Sequence, residues 1–179
     1  MPSAPDARLP NPYDGLLPPL QAEVARRLSG LPDCHGWDHT VRVGHNARHI
    51  ALVEKADLAV VVFAAWLHDI GRVTDLADNG VSCHAESGAA IAAEILAGLG
   101  VADPAFIAQV SDCVRTHRYR RRGDARPATL EARVVYDADK LDSMGAIGVG
   151  RAFHFAGRIG ARVHNTEREA LASSSYSRE

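Results

Sequence analysis

The segment DLAVVVFAAWLHDIG, residues 57–71, decides the fold. Leu58 to Leu67 is apolar without a break, and periodicity alone cannot tell a buried strand from a buried helix in such a run. Length favours the helix, because the pattern continues through Ile70 to Gly71. Asp57 is placed to cap its start, and Gly71 reads as the residue just past its end. A helix that is apolar on every side must lie at the centre of a helical domain.

The flanking sequence agrees. Upstream, Asp38 to Glu54 carries Val43, Ala47, Ile50 and Val53 at helical spacing, which predicts one buried stripe. Downstream, Ser82 to Leu99 is Ala-rich and helical. Asp103-Pro104 then supplies a cap and an N1 proline, and Phe106, Val110, Cys113, Val114 and His117 share the face that follows. Residues 118–128 form a polar, Arg-rich loop. Thr129 can cap a helix bearing Leu130, Val134, Ala138 and Leu141, and Gly145 to Phe155 forms another. Residues 1–19 hold six of the nine prolines and read as an irregular arm, with a short helix from about Leu20 to Leu28. No segment alternates like a strand between hairpin turns, so the expected class is all-α.

At 179 residues, 46% apolar and 23% charged, the chain has the composition of one ordinary globular domain. A net charge of -2 argues against a globally basic nucleic-acid binder. Cys34, Cys83 and Cys113 form no CxxC pair and suit a reducing compartment, so the expected location is the cytoplasm. The longest apolar run is too short to span a bilayer, and no membrane association is expected.

The chemistry lies where polar residues interrupt apolar helices. His68-Asp69 closes the most apolar segment. An Asp at a helix C-terminus is opposed by the macrodipole, and burying it costs more unless a cation compensates. His39 opens the preceding helix. Asp137-Ala-Asp139-Lys140-Leu-Asp142 packs three carboxylates into six residues, and Asp139 follows Ala132 and Val135 onto an inward face. Asp142 is placed to brace Lys140 or Arg151. His84 begins one helix and His117 ends another. Taken singly, each has a plain structural explanation: a fraying turn, a cap histidine, a solvated acidic turn, a core imidazole on a carbonyl. His45 and His49 point away from His39 and read as surface or packing residues.

Together the residues spell His, His-Asp and Asp on three separate helices. The contexts are Trp37-Asp-His39-Thr-Val-Arg-Val, Trp66-Leu-His-Asp-Ile-Gly-Arg72 and Asp137-Ala-Asp-Lys-Leu-Asp142-Ser-Met-Gly-Ala-Ile-Gly148. This pattern resembles the HD-domain superfamily of metal-dependent phosphohydrolases over about residues 30–165. It looks closest to the small prokaryotic HD proteins, some of which hydrolyse nucleoside triphosphates to monophosphate and pyrophosphate.

The resemblance implies a helical bundle holding one divalent ion on His39, His68, Asp69 and Asp139. Mn²⁺, Mg²⁺, Ni²⁺, Fe²⁺ and Zn²⁺ all suit two imidazoles and two carboxylates, and the need for open positions favours Mn²⁺ or Mg²⁺. Catalytic roles fall on Asp69, His84, His117 and Lys140. Arg118, Arg121 and Arg122 are candidates for substrate phosphate, with the solvated loop as the plainer reading. Asp75 and Glu86 are candidates to orient water or a leaving group. The expected substrate is a nucleotide or another small phosphoester. Two other functions fit the same residues. One is a di-iron oxygenase, which would need His84 and His117 as ligands to a second iron. The other is a non-enzymatic module that binds a ligand or RNA. The expected organisation is an arm over 1–19, the HD domain over 20–165 and a tail over 166–179. Related chains continue into further C-terminal helices, so truncation before them is also expected.

Overall fold

A computed structural model describes residues 9, 13–31, 35–73, 83–118 and 126–160. The rest of the proline-rich arm before Tyr13, Asp75, the loop residues Arg120, Arg121 and Arg122, and the tail over 166–179 lie outside the described residues. Among the described residues there are seven α-helices and no strand. They are α1 (Leu17–Leu28), α2 (Trp37–Glu54), α3 (Leu58–Leu67), α4 (His84–Gly98), α5 (Pro104–Thr116), α6 (Leu130–Leu141) and α7 (Gly145–Ile159). The all-α class is as the sequence predicts. The chain divides into two compact units, Met1–Leu141 and Asp142–Glu179.

In the first unit α3 is central and packs on α1, α2, α5 and α6. Every residue from Ala59 to Leu67 is buried, so this helix has no polar face to offer water. Asp57 caps it as expected, its carboxylate accepting from the backbone N–H of Ala59 at 2.9 Å and of Val60 at 3.1 Å. Asp103 does the same for α5, and Thr129 Oγ1 accepts from Ala132 N–H at the start of α6. Tyr13 stacks on Phe106, and Phe63 meets the edges of both rings.

Four sequence expectations are corrected. Helix α1 begins at Leu17 rather than Leu20, because prolines are tolerated in a first turn whose N–H groups lack partners anyway. Val53 is 64% exposed. The buried face of α2 instead follows Thr40, Val43, Gly44, Ala47 and Ala51, and Val53 lies off that stripe. Leu141, the last residue of α6, is exposed, one turn beyond Ala138 in the core. Finally, α3 stops at Leu67, and Gly71 is not a left-handed cap. It is needed for close approach. A Cβ on Gly71 would lie 2.1 Å from the His84 carbonyl oxygen and 2.7 Å from Gly88 N, so the turn after α3 can touch the start of α4 only without a side chain there.

In the second unit, Arg151 Nη1 binds the Asp142 carboxylate at 2.9 Å and its carbonyl at 3.0 Å. Arg151, one of the two partners considered for Asp142, is thus in contact with it. Helix α7 runs beyond the expected Phe155 to Ile159 and ends at Gly160, whose φ is +69°.

Candidate metal centre

The ends of five helices meet at one place. His39 lies in the first turn of α2, His68 caps the C-terminus of α3, and Asp69 follows it in the turn. His84 is the first residue of α4, His117 caps the end of α5, and Asp139 lies in the last turn of α6. All six are buried. Three of the helices, α3, α5 and α6, direct their negative ends here, which favours a cation.

The distances define the arrangement. His39 Nε2 is 3.1 Å from His68 Nε2, 3.4 Å from Asp139 Oδ1 and 3.7 Å from Asp69 Oδ2. His68 Nε2 is 3.7 Å from the same Asp69 oxygen. On the other side of this carboxylate, Asp69 Oδ1 lies 3.5 Å from His117 Nε2 and 3.6 Å from His84 Nε2. The structure therefore brings together the four residues expected to hold an ion, and places His84 and His117 beside them.

The donor atoms are oriented as metal chemistry requires. His68 Nδ1 is 2.7 Å from Ala65 O, and His117 Nδ1 is 2.6 Å from Val114 O. A carbonyl only accepts, so each Nδ1 carries a hydrogen and each Nε2 faces the cluster, the orientation in which an imidazole ligates a metal. Ligands about 2.1 Å from a common ion lie about 3.0–3.4 Å apart, close to the spacing around His39. The residues thus fit a divalent ion.

Burial pushes the Asp69 carboxyl up, but Arg72, His68, His117 and His35 outweigh it and hold the group well below the usual carboxylate range. Burial likewise raises Asp139, and the hydrogen bond to His39, then His68 and Lys140, pull it well below that range. Burial pushes His68 down to about 4. It pushes His84 down to about 2, with Arg72 adding to the effect. Asp69 and Asp139 are therefore ionised and His68 and His84 neutral at neutral pH, the protonation states a metal needs.

The remaining predicted residues separate. Lys140 pairs with Asp139 Oδ2 and lies beside the cluster. Arg118 is half-buried, with Nη1 3.3 Å from Cys83 Sγ. Arg121 and Arg122 lie outside the described residues, and Glu86 is exposed on α4. Two participants were not predicted. His35 Nδ1 is 3.5 Å from Asp69 Oδ2, and its i, i+4 spacing to His39 was the available signal. Arg72 Nε donates to Asp69 Oδ1 at 3.0 Å, three residues along the turn.

Comparison with known proteins places this geometry. Residues 36–144 match the HD domain family. The Bacillus subtilis protein YpgQ is 32% identical over 142 residues, or 77% of this chain, and the chain spans 65% of YpgQ's length. A crystal structure of YpgQ with ADP superposes with a TM-score of 0.64 at 28% identity, covering 88% of this chain and 74% of that one. A predicted HD superfamily hydrolase from an uncultured Thermotogales bacterium is 38% identical with a TM-score of 0.65, over 78% of this chain and 75% of that one. The His, His-Asp and Asp positions all fall within the matched residues, and the chain belongs to the HD-domain family.

Proposed function

We propose that this protein is a metal-dependent phosphohydrolase that cleaves a phosphoester or phosphoanhydride bond, with a nucleotide as substrate. The observation that carries the reading is the convergence of His39, His68, Asp69 and Asp139 within one buried cluster at the ends of three helices. These four residues would hold the ion. When bound, it would activate water as nucleophile and stabilise charge on a phosphoryl oxygen, for which Mn²⁺ or Mg²⁺ is the best match.

The protein's own residues do the rest. His68 presents a fixed Nε2 lone pair, so little reorganisation of that ring is needed on loading. Lys140, paired with Asp139, adds a positive charge where substrate phosphate would approach. His84 and His117 face the other Asp69 oxygen and are placed to orient substrate or take a proton. Arg118, Arg121 and Arg122 are assigned to the phosphate tail, which guanidinium binds in bidentate fashion. The YpgQ complex with ADP supports a nucleotide, since a related fold accommodates a nucleoside diphosphate.

A second reading has its own observation. Asp69, His84 and His117 form another group of potential donors, which a two-iron oxygenase would use.

A screen of nucleoside mono-, di- and triphosphates with Mn²⁺, Mg²⁺, Ni²⁺, Fe²⁺ and Zn²⁺ tests the proposal. Phosphate or pyrophosphate release should require the ion. Asp139→Ala should lower it by more than about 100-fold, the upper cost of losing even an outer partner of a metal ligand. Oxygen-dependent turnover, or hydrolysis that survives in the Asp139 variant, would overturn it.

A further inference from the structure

We propose that the Arg72 guanidinium stands in the place of a second cation and holds this centre to one metal ion. The inference rests on the metal-centred reading above and assigns a role to a residue outside the four-ligand set.

Asp69 is a two-faced carboxylate. Its Oδ2 looks towards His35, His39 and His68 at 3.5–3.7 Å. Its Oδ1 looks towards His84 and His117 at 3.6 and 3.5 Å. Each face gathers at least three donors that could close on an ion. A carboxylate shared in this way is the geometry in which two ions could be bridged.

The two faces differ in what already stands there. On the Oδ2 face the named neighbours are imidazoles. On the Oδ1 face Arg72 Nε donates a hydrogen bond at 3.0 Å. Arg72 is tied to this position by the chain, because its N–H donates to the Asp69 carbonyl at 2.9 Å within the same turn. Its side chain is 22% exposed and Asp69 is 3% exposed, so the contact is shielded from water. Guanidinium does not give up its proton in proteins, so the charge is permanent.

Charge counting gives the same answer. The three donor groups contain two carboxylates, Asp69 and Asp139. Arg72 pairs with the first and Lys140 with the second. Among the described residues, each of these two carboxylates thus has a cationic side chain against it before any ion enters. One divalent ion leaves a local excess of positive charge, which an anionic phosphate can neutralise. A second ion would double that excess with only neutral imidazoles added as ligands, and it would sit beside a guanidinium already bound to the oxygen it needs.

The test is metal stoichiometry, read without turnover. Wild type, Arg72→Gln and Arg72→Lys are loaded with Mn²⁺, desalted and analysed for metal per chain. Spin coupling is followed by electron paramagnetic resonance. The expected result is one Mn²⁺ in wild type and in Arg72→Lys. Arg72→Gln should hold two, with a coupled signal that disappears when His117→Ala is added. Arg72→Met, which keeps an apolar stem, replaces the Gln variant if that protein melts early. One ion in both wild type and the neutral variants overturns the role of Arg72 and leaves the metal-centred reading standing. Two ions in wild type overturn it as well. No ion in wild type overturns the metal-centred reading, and the inference with it.

Discussion

Proton uptake at single residues should be visible in the stability of the metal-free chain. His68 and His84 have folded values of about 4 and about 2, against an unfolded value near 6.5. Below that unfolded value the unfolded chain binds protons that the folded chain refuses. Stability is therefore fully present above about pH 6.5 and declines as pH falls, by up to about 1.4 kcal/mol per pH unit for each group. Asp69 and Asp139, held low in the folded state, add a further loss once pH falls below the usual carboxylate range. Urea midpoints in chelator at pH 7.5, 6.5, 5.5 and 4.5 give the check. A flat profile across this window would contradict neutral buried imidazoles. At Gly71 the expectation concerns packing instead. Gly71→Ala must push a methyl group against the His84 carbonyl, at a cost of about 1–3 kcal/mol if the contact can relax. Because Asp69 lies two residues earlier in the same turn, the variant should also change metal binding. An unaltered melting temperature would show that the turn and α4 are not in rigid contact.

At the scale of elements, the caps were the most legible feature and offer a direct test. Asp57→Ala should cost about 0.5–2 kcal/mol, and Asp57→Asn much less, since Asn also accepts from the first-turn N–H groups. Calorimetry of the two variants separates loss of the cap from loss of charge, and equal destabilisation by both would assign the effect to charge. Asp57, Asp103 and Thr129 were readable because a cap is local: acceptor and donors lie within three residues. The four expected ligands were readable because their spacing and local contexts resemble a family pattern. The role of His35 was not, although His35 precedes His39 by only four residues. Its contact with Asp69 joins the turn before α2 to the turn after α3 and exists only in three dimensions. The Arg72 contact spans three residues, yet its meaning depends on His84 and His117, which come from α4 and α5. Gly71 was misread for a similar reason. A glycine after a helix signals a left-handed cap locally, whereas here the requirement comes from a distant backbone. Val53 shows the limit of periodicity, since a stripe followed by threes and fours drifts away from the face that packing selects.

At the scale of the molecule, a bound ion would tie together helices that are far apart in sequence. His39, His68 with Asp69, and Asp139 come from α2, the end of α3 and α6, all within the first compact unit. Metal binding should therefore stabilise that unit as a whole rather than one loop. With free ion at 100 times its dissociation constant the gain is about 2.7 kcal/mol, or roughly 5–11 °C in melting temperature for a domain of this size. The chain carries a built-in reporter. Its two tryptophans, Trp37 and Trp66, both lie in the first unit with ring centroids 5.4 Å apart, and each precedes a proposed ligand histidine by two residues. Melting followed by tryptophan fluorescence thus reads the unit that contains the site. Mn²⁺ should shift this transition upward, chelator should reverse the shift, and Asp139→Ala should abolish it. The same shift in Asp139→Ala would mean that the ion binds elsewhere on the surface. No shift in the wild-type chain at saturating ion would mean that the helix ends do not share a ligand, despite their convergence.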